Sequence, residues 1–177
     1  CRNTKVSDYY VMMLNELDEK LTKEGINTKI VFLAYVDLLW KPLVEKLKNK
    51  ERFVLMFAPI TRSYSVSYNT DVVGQMKPYE LNRLEFPKNV EENLAYLYDW
   101  KQDFDGDSFD YDYHFIWDHY YDFAQFKHAK ILCGDVKKLK DMGLNGLMSC
   151  QAHRVFLPTS LSMNVMAQAL WDSSVDF

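Results

Sequence analysis

The stretch "TKIVFLAYV", residues 28–36, decides the fold class. It is a short, nearly unbroken apolar run, too short for a helix and rich in β-formers. A run without alternation is what a strand buried on both faces looks like, and such strands belong to parallel sheets. A second run, "RFVLMFAPI" (52–60), has the same character. Working outward, "SDYYVMMLNELDEKLTKEG" (7–25) places Val11, Leu14, Leu17 and Leu21 on one helical face. Ser7 or Asp8 is available as a cap and Gly25 as a stop. Further helices are expected at 42–50 (short), 89–104, 129–143 and 161–172. Further strands are expected at 112–119 and 144–151. Helix first, then four strand-to-helix units, predicts an α/β fold with a parallel sheet. That pattern is half of a (β/α)8 barrel, with an open sheet as the competing architecture.

The chain has 177 residues and 48% hydrophobic residues, enough for one domain with a real core. Net charge is −4 without any block of Lys or Arg, which argues against nucleic acid as a partner. No apolar run is long enough to span a membrane. There is no Gly-rich phosphate loop, so a nucleotide-binding domain is disfavoured and no cofactor is expected. Cys1, Cys133 and Cys150 form neither a disulfide framework nor a zinc pattern, which leans toward a reducing, cytoplasmic setting. The start at Cys1 reads as the cut edge of a longer protein, so a secreted location stays open.

Aromatic residues reach 15%, a content that suits a surface stacking flat ligands or sugars as well as a core. Polar and aromatic residues gather after the expected strand ends, where α/β folds place their sites. The candidates are Tyr35, Asp37, Arg62, Asp118, His119, Tyr121, Gln151 and His153. Arg62 could grip a ligand carboxylate in a fork of two hydrogen bonds, or pair with Asp37 or Asp118. In "YHFIWDHYYDFAQF" (113–126), alternation would turn Ile116 and Asp118 inward and set Phe115 and Trp117 against the helices. Tyr120 or Tyr121 would form the rim. "DFDGDSFDYD" (103–112) fails the calcium-loop template and reads as a solvated acidic turn; no metal is expected.

Four stretches, in order along the chain, carry a resemblance. They are "SDYYVMMLNELDEKL", "RFVLMFAPITRSYS", "YHFIWDHYYDF" and "DVKKLKDMGLNGLMSCQ" with the downstream "MAQALWD". They resemble an uncharacterised bacterial family of glycoside-hydrolase-like barrels, similar in architecture to hexosaminidase and α-glucuronidase barrels. The resemblance implies that this chain is the C-terminal half of such a barrel, strands five to eight, within a longer multidomain protein. It implies a carbohydrate ligand and, if the whole is a glycoside hydrolase, catalytic carboxylates upstream of this chain. The alternatives are a non-catalytic glycan-binding barrel and an open α/β interaction module. Half a barrel exposes two sheet edges and an apolar inner face, so the isolated chain is expected to self-associate, or to curl so that loops and the first helix cover its edges.

Overall fold

The computed structural model describes residues 4–116, 122–151, 156–157 and 159–177. It shows an α/β fold with helices α1 (Val6–Lys23), α2 (Val90–Asp103), α3 (Phe126–Lys138) and α4 (Leu161–Trp171). These alternate with strands β1 (Ile30–Ala34), β2 (Phe53–Phe57), β3 (Ser108–Phe115) and β4 (Leu147–Gln151). The strands form one sheet in the order β1-β2-β3-β4, and every neighbouring pair is parallel. Among the described residues, no helix is long and apolar enough to cross a membrane.

Register divides the sheet into two faces. Phe32, Leu55 and Ser108 lie side by side, as do Ala34, Phe57, Asp110 and Leu147. On this face the side chains of β1, β2 and β3 from Phe32 to Asp110 are buried, and they join Val11, Leu14, Leu94, Leu97, Trp100 and Leu132 of the helices in one core. Phe32 sits at its centre, 4.9 Å from Phe104 and 5.5 Å from Trp100 between ring centroids. The opposite face carries Val31, Leu33, Val54, Met56, Phe109, Tyr111 and Met148. None of these is buried, and Val31 and Met148 are 46% and 52% exposed. The expectation of strands buried on both faces is therefore corrected. The helix layer covers one face, and the other stays open although its residues are apolar.

Several local readings change with it. The short helix expected at 42–50 does not form. That segment is instead held by polar residues on the inward face of α1, which take up its backbone groups. Asp8 Oδ1 accepts from the Val44 and Glu45 amides at 2.8 and 2.9 Å. Asn15 donates to Lys46 O and accepts from Lys48 N, and Asp18 pairs with Arg52 at 2.9 Å. The buried face of α1 is thus more polar than apolar, with Ser7, Asp8, Asn15 and Asp18 beside Val11 and Leu14, and Leu17 is exposed. Asp8 also caps α1 from inside its first turn, accepting from Lys5 N at 2.7 Å. Gly25 follows the helix at φ +71, as a stop residue should.

The third strand runs 108–115 rather than 112–119, and the helix after it ends at Lys138 rather than Gly143. The acidic stretch before it is not a solvated turn throughout, because Asp110 and Asp112 are fully buried in β3. The residues before Phe115 alternate regularly between the two faces. Asp110, Asp112 and His114 face the helices, while Phe109, Tyr111 and Tyr113 face the open side. An irregularity in the β3–β4 register between Asp112 and Phe115 then brings Phe115 to the helix side too, 5.6 Å from the His128 ring.

Candidate functional site

The strands end at Ala34, Phe57, Phe115 and Gln151 in a stagger: β1 and β2 stop level with Asp110, where β4 begins, and β3 and β4 run on past them. Two groups of side chains meet there, one on each face.

On the open face the group is aromatic. The Tyr111 and Tyr113 rings stand 5.4 Å apart, edge to face. Tyr35 lies within hydrogen-bonding reach of Tyr113, and Cys150 within reach of Tyr111. Burial, with Tyr35 and Tyr111 beside it, pushes the Tyr113 hydroxyl well above its ordinary acidity range. Contact with Cys150 raises Tyr111 as well, so both phenols are neutral and able to donate. Tyr35 is placed by a strained turn: Val36 has φ +42, an uncommon conformation for a β-branched residue. Such an outlier costs about 1–3 kcal/mol and persists where the surroundings over-determine it. Here Leu38 N donates to Tyr35 O at 2.9 Å, and Trp100 Nε1 donates to Leu38 O at 3.0 Å. The buried Trp40 ring is fixed by its own bond to Lys77 O at 2.7 Å.

On the helix face the group is ionic and buried. Arg62, in the segment after β2, puts Nη2 2.8 Å from Asp135 Oδ2 on α3. The same oxygen lies 2.8 Å from His114 Nε2, and Asp135 Oδ1 accepts from Tyr68 N at 2.7 Å. The guanidinium is clasped by two rings, with the Tyr68 and Tyr64 centroids at 3.9 and 4.8 Å. Burial alone would raise the Asp135 carboxyl, but Arg62, His114 and the Tyr68 amide outweigh it and hold it below the usual range. Asp110 is the reverse case. Burial and the charge of Asp112 push it well above the usual carboxylate range, and neither of its oxygens has a hydrogen-bond partner of regular geometry among the described residues. Asp112 is raised too, by burial above all, against His114 and Arg62.

The network continues outward. His128 Nε2 lies 2.9 Å from His114 O, and His128 Nδ1 lies 2.9 Å from Ser162 Oγ on α4. Gln125, in the left-handed region at φ +56, reaches Leu157 O at 3.3 Å and accepts from the Thr159 hydroxyl at 3.3 Å. So the segments after β2, β3 and β4 are tied to one polar spine, in which Arg62 and Asp135 form the charged pair.

Of the candidates named from the sequence, Tyr35 and Asp37 lie half-buried at the end of β1. Arg62 is on the other face and pairs through Nη2 alone with Asp135, not with Asp37. Gln151 ends β4 opposite Phe115. Asp118, His119, Tyr121 and His153 lie outside the described residues, as do Trp117 and Tyr120. The sequence reading missed Tyr111, Tyr113, Asp110, Asp112, His114 and Asp135. A signal was present for the last four. Asp110, Asp112 and His114 recur at intervals of two, and Asp135 sits among Leu132, Val136 and Leu139 at helical spacing.

Among the described residues no group of three or more His, Cys, Asp or Glu could hold a metal ion. No family model, curated protein or solved structure matches the chain.

Proposed function

We propose that the chain is the C-terminal half, strands five to eight, of a glycoside-hydrolase-like (β/α)8 barrel, and that it contributes carbohydrate contacts at the carboxyl end of the sheet. The observation that carries this reading is the open face. Helices cover one side of the parallel sheet only, and the uncovered side ends in Tyr35, Tyr111 and Tyr113. A barrel interior is lined by just such a face, and its sites open at the carboxyl ends of the strands. Tyrosines there offer ring faces to the C–H side of a pyranose and hydroxyls to its oxygens.

In this reading the chain binds rather than cleaves. Asp110 and Asp112, the carboxylates of β3, are sealed under the helices and cannot touch a substrate in the cleft. A glycosidase would need its two carboxylates, roughly 5–9.5 Å apart, from the other half of the barrel. A non-catalytic glycan-binding barrel is favoured by the same observation.

The test is titration of the chain with hexoses, N-acetylhexosamines and uronic acids, read by ligand-observed NMR. Binding of one class is expected, with Tyr35→Ala weakening it about tenfold, near the worth of one ring contact. Absence of binding by all three classes, or binding indifferent to Tyr35→Ala and Tyr113→Ala alike, overturns the proposal.

A further inference from the structure

The exposed apolar side chains of the regular elements are not scattered. Helix α2 and strands β2 and β3 have none, and α3 has only its first residue, Phe126, whose ring lies 5.0 Å from that of Phe177. The rest fall on the two ends of the molecule. At one end α1 exposes Tyr9, Met12, Met13 and Leu17, and β1 exposes Val31. At the other end α4 exposes Leu170 and Trp171, the latter 92% exposed, and β4 exposes Met148. A freestanding open sheet gains nothing from apolar flanks. A segment of a closed ring needs them on both sides, because the next strand–helix unit packs there.

We infer that these two flanks and the open sheet face form one interface, and that its occupant is a second copy of this chain. The inference rests on the half-barrel reading above, the second copy of the 177-residue chain standing in the place that reading gives to strands one to four. Two copies related by a two-fold axis set β4 and α4 of each beside β1 and α1 of the other, completing eight strands. Leu170 and Trp171 then meet the Tyr9–Leu17 stripe, apolar against apolar, twice by symmetry.

Size supports this occupant. Four strands about 4.8 Å apart and five residues long at about 3.3 Å each give a sheet face of roughly 300 Å² per copy. Helices of 18 and 11 residues, at about 1.5 Å per residue and roughly 10 Å wide, add flanks of about 430 Å². The total approaches the roughly 800 Å² per partner of a stable interface, whereas the sheet face alone falls well short. One edge group must exchange partners. Leu33 N on β1 donates to the Tyr10 hydroxyl at 3.1 Å, and docking replaces that oxygen with a carbonyl of the neighbouring β4.

Sedimentation of the 177-residue chain tests this. At about 100 μM, where a micromolar interface is saturated, the expected species has twice the chain mass of 21.0 kDa. Tyr9→Glu on one flank and Trp171→Glu on the other should each weaken association at least about tenfold. Both side chains are more than half exposed, so neither change disturbs the core. Val72→Glu, also exposed but held between contacts to α3 (Tyr68 N to Asp135) and α2 (Gly74 N to Glu91 O), should leave the dimer intact. A monomer at that concentration overturns the inference and leaves further strand–helix units of a longer polypeptide as the cover for these flanks. An open-ended polymer, or a dimer indifferent to both flank variants, overturns it as well. The outcome is separable from glycan binding. A monomer that binds glycan removes only the second copy, and a dimer that binds none removes only the carbohydrate reading.

Discussion

Asp135→Asn should be the most damaging isosteric substitution in this fold, and its cost can be worked from the contacts. Asp135 makes the only ion pair found for Arg62 among the described residues. Arg62 is otherwise held by the carbonyls of Ser63 and Val66, at 3.2 and 3.0 Å, and by two ring faces, with Nη1 unpartnered. Removing the carboxylate charge takes from a buried guanidinium its one hydrogen-bonded counter-ion among the described residues, which costs about 3–5 kcal/mol. That is a large share of a total stability of about 5–15 kcal/mol. Arg62→Met should cost less, about 1–3 kcal/mol, because Asp135 keeps the His114 ring and the Tyr68 amide and can take up a proton. The double variant should fall short of the sum by at least about 1 kcal/mol, since the two groups share one interaction. Urea denaturation at pH 7 and fixed protein concentration, followed by tryptophan fluorescence, measures all four proteins. With a slope of about 2 kcal/mol per molar urea, Asp135→Asn should move the midpoint by about 2 M. A loss under about 1 kcal/mol, or a larger loss for Arg62→Met than for Asp135→Asn, would refute the reasoning. It would also return Arg62 to the role of a ligand-gripping residue.

Asp110 bears on pH. Its folded pKa is raised well above the unfolded value of about 3.9, so the native state keeps a proton that the unfolded chain has released. The stability it contributes is full below pH 4 and is lost as pH rises through the raised folded value. Asp110→Asn should therefore lose less stability than the parent between pH 5 and pH 8; equal slopes in urea melts at several pH values would show that the carboxyl is ionised or hydrated. Asn15→Ala should cost about 2–3 kcal/mol, because Lys46 O and Lys48 N lose their partners at once. Hydrogen exchange should quicken in residues 43–49 and not in β3, and uniform quickening would argue against a local role.

The existence and order of the elements was legible in apolar runs. "IVFLA" and "FVLMF" became β1 and β2 with their first residues paired, and residues 90–103 became α2. What misled was charge in buried places. Asp110 and Asp112 interrupt the apolar run of β3, so periodicity moved the strand start to 112. The compensating groups, Arg62 on one segment and Asp135 on another, are brought together only by the fold. Likewise Asp8, Asn15 and Asp18 share the inward face of α1, and their partners are backbone groups of a segment that sequence alone read as a helix. A pattern of apolar residues reports burial by default; it cannot report a polar group buried because a distant segment satisfies it.

This division of labour has a functional consequence. Among the described residues of the strands, the charged network lies on the helix side of the sheet and the open side carries aromatic and aliphatic residues. Arg62, Asp135, His114 and Ser162 therefore hold the segments after the strands in place without offering a charge to the cleft. An enzyme that used these acids in catalysis would need them solvent-accessible, and burial forbids that. A binding face gains from the arrangement, because loops anchored by ionic and hydrogen-bonded groups can present rings such as Tyr35 in a fixed position. The strained turn at Val36 fits the same logic. Its cost is borne by the bonds at Tyr35 O, Leu38 O and the Trp40 indole, which lie on the helix side or at the rim, and its result is the placement of one tyrosine on the open side.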